Sequence, residues 1–173
     1  MGEMEHCGLC FDEGASGAWN SGKKVRMDIL DKVRQWVCTF PLWEAGRLLF
    51  IDYMEGVPGA AGLYPGGLEV VSVKTDVLGG VRMHCRYHFA LYRAGTAEGD
   101  GADARWLEAF QSWVMEQSAL GLAPRFGDEP GNERIVAEKA GLKDRTVPGT
   151  GIYTVKLTAQ FVKYYEKRSE TYG

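Results

Sequence analysis

The 173-residue sequence has no long hydrophobic run. A membrane-spanning helix needs about 20 consecutive apolar residues, and a secretory signal needs a basic segment followed by a shorter apolar one. Neither pattern is present, so the sequence predicts neither a membrane span nor export by a cleaved signal. Domains commonly contain about 150 residues, so we expect one modest folded domain.

Cysteine is scarce, with only Cys7, Cys10, Cys38 and Cys85 scattered along the chain. Four cysteines are too few to stabilise a chain of this length through disulfide bonds. We therefore expect reduced thiols in a cytoplasmic setting. Cys7 and Cys10 have the spacing of half a zinc site, but no second pair of ligands follows. The sequence therefore predicts no metal site.

An excess of basic charge is also lacking. Lysine and arginine number 20 against 23 acidic residues, which gives a formal net charge of -3. This balance argues against a protein that holds nucleic acid by neutralising phosphates. With 45% hydrophobic and 25% charged residues, the composition is that of a globular domain.

Catalytic signatures are missing as well. The chain has no Gly-x-Ser-x-Gly motif, no P-loop, and no dinucleotide-binding fingerprint after a strand. Asp128, Glu129 and Glu133 fall in a predicted loop, where we expect solvated carboxylates rather than acid/base groups. The sequence predicts that the protein is not an enzyme and binds no cofactor.

The hydrophobic pattern indicates one domain over residues 26–166, between a leader of residues 1–25 and a tail of residues 167–173. An amphipathic helix is predicted to end before Pro41, and a second helix is predicted to begin at the N-cap Asp103 and end near Gly121. Strands are predicted over residues 47–54, 133–142 and 151–165. Residues 56–67, rich in glycine, are predicted to form a loop.

The clearest pattern lies between Leu68 and Arg93, where two strand-like runs flank Gly79 and Gly80. In the second run apolar and polar residues alternate, which predicts an antiparallel hairpin with one buried face. Thirteen residues at ~3.3 Å each would extend roughly 40 Å, against a radius of gyration of about 16 Å for such a domain. We expect this hairpin to protrude and to be completed by another subunit.

These elements predict an α+β fold, with a mainly antiparallel sheet of about five strands, two helices on one face, and a long protruding β-hairpin. The predicted core consists of large apolar residues from both helices and two strands: Trp36, Tyr87, Phe89, Trp106, Phe110, Trp113, Leu157 and Phe161.

A basic stripe lies on the polar side of the second hairpin strand, where His84 and His88 alternate with Arg82 and Arg86. Two imidazoles could bind a metal or transfer protons, but we expect no aspartate, glutamate or cysteine to accompany them on that face. We interpret the stripe as a solvated or interfacial surface, with anion binding as an alternative.

The carboxy-terminal half resembles a known family. Residues 106–118, 122–128, 134–135 and 153–161, with the first helix and the hairpin in the expected order, resemble the tail terminator, or minor capsid, proteins of tailed bacteriophages and prophages. The resemblance covers residues 24–165. It implies a structural virion protein that assembles as a ring, typically a hexamer, on the tail tube, stops tube polymerisation and joins the tail to the head.

The resemblance also implies partners: other copies of the chain, the tail tube protein and head–tail connector proteins, met in the host cytoplasm during assembly. The expected subunit or tube interface comprises the hairpin tip and the basic stripe: Leu78, Gly79, Gly80, Arg82, His84, Arg86, His88 and Lys156. A head–tail connector or neck protein of the same virion is the main alternative. A small metal-binding cytoplasmic protein is a remote one.

Overall fold

A computed structural model describes residues 28–96, 101–147 and 149–166; the predicted leader and tail lie outside these ranges. The elements in chain order are α1 (Ile29–Val37), β1 (Leu49–Ile51), β2 (Ala61–Thr75), β3 (Val81–Thr96), α2 (Ala102–Ala119), a 3-10 turn (Pro130–Asn132), β4 (Arg134–Val147) and β5 (Thr150–Tyr165). The strands form one sheet in the order β1-β2-β3-β5-β4. The predicted α+β class is confirmed.

Local hydrogen bonds set the helix ends. The Asp28 carboxylate accepts from the Asp31 N–H at 2.9 Å and caps α1. For α2, the predicted cap Asp103 is wrong: Gly101 precedes the helix with φ of 73°. The Asp103 carboxylate instead accepts from the backbone N–H of Thr96 at 3.0 Å, at the end of β3. α2 ends before Gly121 as predicted, because glycine readily takes the positive φ found there.

Strand pairing is antiparallel except between β1 and β2, which are parallel. β1 is only three residues long and is followed by Asp52 with φ of 57°. β2 begins at Ala61, so the loop predicted over residues 56–67 is wrong in its second half. At Gly62 a side chain would collide with the Tyr53 carbonyl oxygen, so glycine here permits close backbone approach rather than a turn.

The free-standing hairpin predicted around the turn is not confirmed. β2 and β3 are antiparallel neighbours, but β5 pairs with β3 along its whole length, from Val81 opposite Tyr165 to Thr96 opposite Thr150. The far end of the β2–β3 pair is therefore part of a three-stranded sheet. A single sequence shows the alternation of β3 but not which strand lies beside it.

Both helices pack on the face of the sheet that carries the odd-numbered residues of β3 and β5. Trp36 of α1 stacks on Trp113 of α2 with ring centroids 4.7 Å apart. Six of the eight predicted core residues are buried, and Tyr87 and Trp113 are partly buried against them. The even-numbered residues of β3 and β5 form the opposite surface, which we call the polar face.

Candidate interaction surfaces

An uncovered apolar surface lies on the helix side of β2. Leu68, Val70 and Val73 point to this side because they pair with Tyr87, Cys85 and Met83 of β3. Their exposed fractions are 58%, 48% and 55%. The turn that follows adds two more exposed apolar side chains. We call this set the distal apolar face: Leu68, Val70, Val73, Val77 and Leu78.

The same strand has an open edge. β1 pairs only with Ala61–Leu63 of β2, so residues 64–75 have a strand neighbour only on the β3 side within the described ranges. The outward backbone groups of this stretch are available to another strand. An edge strand with exposed apolar side chains favours pairing with a further chain.

The β2–β3 turn is fixed by Asp76. Its Oδ1 accepts from the backbone N–H groups of Leu78 at 2.9 Å and Gly80 at 2.8 Å, and its Oδ2 accepts from the Tyr164 hydroxyl at 3.2 Å. The hydrogen bond from Gly80 holds the pKa of Asp76 below its ordinary value, and those from Leu78 and Tyr164 add to this effect. Of the predicted tip residues, Leu78 is exposed, whereas Gly80 is buried.

A hydrogen-bonded chain crosses four strands on the polar face. The buried hydroxyl of Thr158 donates to Glu138 Oε1 at 2.9 Å. Since a hydroxyl has one proton, its oxygen must accept from His88 Nδ1, 3.0 Å away. His88 Nε2 lies 3.1 Å from Glu69 Oε2. His88 therefore connects Thr158 of β5 with Glu69 of β2.

The interpretation that no acidic group accompanies the basic stripe is wrong. Glu69 comes from β2, Glu138 from β4, and Glu129 from the loop before β4, where its carboxylate pairs with Arg82 Nε at 2.7 Å. The alternating pattern in the sequence describes β3 alone. Glu69 is 19 positions from His88, and Glu138 is reached only through Thr158, which is 70 positions from His88. Only the strand order reveals these acidic partners.

The loop carboxylates are also not simply solvated. Glu133 accepts from the backbone N–H groups of Phe126 at 2.6 Å and Gly127 at 2.8 Å. Asp128 Oδ2 accepts from the Tyr164 N–H at 2.8 Å. These bonds hold the loop against the end of β5, where β4 no longer pairs with it. Their role in the structure is therefore to anchor the loop.

The remaining predicted site residues border two depressions on the polar face. His84 and Arg86 line one of about 580 Å³, together with Arg134 and Gln160, which the sequence analysis did not select. Lys156 lines a second depression of about 420 Å³ beside His88. Arg134 was missed because nothing in the sequence shows that the first residue of β4 lies two strands away from Arg86.

Within residues 28–96, 101–147 and 149–166, no group of three or more His, Cys, Asp or Glu side chains could hold a metal ion. Cys7 and Cys10 lie outside these ranges. The helices within the same ranges are each too short or too polar to span a membrane.

Known proteins give no indication of the function, so the functional hypothesis depends on the distal apolar face and the polar face. No protein-family model matches the sequence, and no curated protein matches it.

Proposed function

We propose that the protein is a structural subunit of a phage tail. Copies of it would assemble into a ring that caps the tail tube, stops its polymerisation and joins the tail to the head. The observation that supports this proposal is the distal apolar face beside the open edge of β2. Exposed apolar edge strands are hazardous in a monomer, and a closed ring of identical contacts would bury each one without leaving a free end.

The size of the distal apolar face fits a contact with a protein. From their exposed fractions, its five residues present roughly 500 Å² of surface, within the roughly 300–600 Å² of the largest patch on a typical monomer. A standard interface buries ~800 Å² per partner. The face therefore supplies more than half of such an interface, and the backbone edge of β2 would contribute further area.

The resemblance in residues 106–161 is the reason for proposing a tail ring rather than another self-assembling protein. In this proposal the distal apolar face contacts the neighbouring copy, and the polar face is left for the tail tube protein or for connector proteins. Exposed cationic groups such as Arg86 and Lys156 suit acidic surfaces on those partners.

Electron microscopy of the purified protein mixed with isolated tail tubes tests the proposal. The wild-type protein should form rings at tube ends, and the Val70→Lys/Val73→Lys variant should not, because lysine places charge in the apolar contact. The control is Leu42→Lys/Val57→Lys, since Leu42 and Val57 are 54% and 52% exposed outside this face.

Normal rings from the Val70→Lys/Val73→Lys variant would exclude the distal apolar face as the contact. Binding of the wild-type protein to portal-filled heads, but not to tubes, would favour a neck protein. Binding to neither would reject a role at the head–tail junction.

A further inference from the structure

The larger depression on the polar face brings two arginines together from different strands. Gln160 of β5 pairs with Arg86 of β3 on one side and with Arg134 of β4 on the other. Adjacent strands lie ~4.8 Å apart, so the two arginine backbones are about 10 Å apart, with both side chains on one face. Arg134 Nε donates to Gln160 Oε1 at 3.0 Å, which holds the Arg134 guanidinium beside Gln160.

Acidic groups around the depression are already engaged. Glu69, directly opposite Arg86 in the strand register, contacts His88 Nε2 instead. Glu129 pairs with Arg82 and also accepts from the Asn132 side chain at 3.2 Å. Glu133 lines the depression, but both of its oxygens accept from backbone N–H groups of the loop. None of these carboxylates forms an ion pair with Arg86 or Arg134.

The cations that line the depression are correspondingly unpaired. Within residues 28–96, 101–147 and 149–166, neither Arg86, Arg134 nor His84 forms an ion pair with a carboxylate. The depression is also lined by Val162, which is 1% exposed, and by the neutral polar residues Ser72 and Asn132. The result is a concave surface that carries two arginines without an ion-paired carboxylate, while Glu133 on the same surface is bound to backbone N–H groups of the loop.

We infer that this depression binds a small oxyanion with two negative charges, either a phosphate group or a dicarboxylate. Planar guanidinium groups form paired hydrogen bonds to the oxygens of both chemical classes. Two arginines on separate strands that line one depression suit an anion with several oxygens. This inference is independent of ring assembly, because the depression lies on the opposite face of the sheet from the distal apolar face.

Calorimetric titration of the full chain with inorganic phosphate and, separately, with succinate tests the inference, with chloride holding the ionic strength constant. One of the two anions should bind saturably at about one per chain. Arg86→Gln/Arg134→Gln should weaken binding by at least about tenfold, the effect expected from losing charge-assisted hydrogen bonds. Arg105→Gln/Arg125→Gln removes two exposed arginines elsewhere and should leave binding unchanged.

The single variant Arg86→Gln separates weaker binding from loss of folding. Arg86 forms no ion pair in the described part of the chain. Its replacement also leaves the hydrogen bond between Arg134 and Gln160 intact. This variant should unfold at the wild-type temperature and still bind several-fold more weakly. Absence of saturable binding by both anions, or wild-type affinity in the Arg86→Gln variant, would overturn the inference. The anion that binds more tightly identifies the chemical class of the ligand.

Discussion

Two threonines of β5 differ sharply in hydrogen bonding although both point to the polar face. The Thr158 hydroxyl contacts His88 and Glu138, and the residue is 3% exposed. The Thr154 hydroxyl is also buried, but it has no hydrogen-bond partner among the described residues. A buried polar group stabilises the fold only when it is hydrogen-bonded. The two positions should therefore respond oppositely to loss of the hydroxyl.

We expect Thr158→Val to lower the free energy of unfolding by about 1–3 kcal/mol, because it leaves His88 and Glu138 without their shared partner. Thr154→Val, the matched control, should be neutral or stabilising by up to ~1 kcal/mol, since valine replaces an unsatisfied hydroxyl by a methyl group. Urea denaturation of both variants measures the difference. Equal losses at the two positions would show that the chain through Thr158 contributes nothing specific.

Individual core residues could be predicted from the sequence, but their polar partners could not. Periodicity alone identifies Phe110 and Leu157 as buried, because each belongs to a regular apolar stripe. The neighbours of His88 depend on strand order. Glu69 is brought to His88 by the β2–β3 register and Thr158 by the β3–β5 register, and neither register is encoded in any local pattern.

At the scale of elements, the β2–β3 turn depends on one ionised carboxylate. In the folded protein the pKa of Asp76 is held below its ordinary value of 3.8, chiefly by the hydrogen bond from Gly80. A group with a lowered folded-state pKa contributes stability above its unfolded-state pKa. That contribution disappears as the pH falls through the folded-state pKa.

We expect Asp76→Asn to be less stable than the wild type at neutral pH, with the difference shrinking as the pH falls below about 4. Tyr164→Phe removes only the hydroxyl contact to Asp76 and should cost less stability at neutral pH. Urea midpoints across this pH range measure both effects. A stability difference for Asp76→Asn that is independent of pH would show that the turn does not require the charge.

The sequence predicted the existence of the helices better than the local chemistry of their ends. The apolar stripe of α2 is long enough to identify the helix, but Asp103 matched a capping pattern and forms a different bond. Residues 62–67 were predicted to be a loop because they are rich in glycine. In the sheet, Gly62 instead allows the strand to pass close to Tyr53, a long-range requirement that composition does not reveal.

At the scale of the whole molecule, the sheet order places β3 and β5 in the interior and leaves residues 64–75 of β2 without a second strand neighbour in the described part of the chain. The outer side of β4 is bound by α2, whose Ser118 and Gln111 side chains hydrogen-bond to the backbone of Ile135 and Glu138. Interior strands have hydrogen-bonded neighbours on both sides, so their amides open only in larger unfolding events. The class and approximate strand count were predictable from alternation. The strand order and the parallel β1–β2 pair were not, because they depend on contacts between distant segments.

Amide hydrogen exchange of dilute protein should therefore be slowest in β3 and β5 and faster in the outward-facing amides of residues 64–75 in β2. At higher protein concentration, protection of residues 64–75 should increase if copies associate through this edge. Equal protection of β2 and β3 at every concentration would contradict the open edge in the free subunit. Exchange measured on Val70→Lys/Val73→Lys separates self-association from intrinsic strand stability.

The alternation of side chains along β3 and β5 has an evolutionary consequence. Residues of the hydrophobic core and residues of the polar face occupy successive positions, yet they contact different surroundings. Substitutions at Arg86, Arg134 or Lys156 can accumulate without changing how Phe89 or Leu157 packs. Lineages that inherit this scaffold can thus diversify in what they recognise while the architecture is preserved.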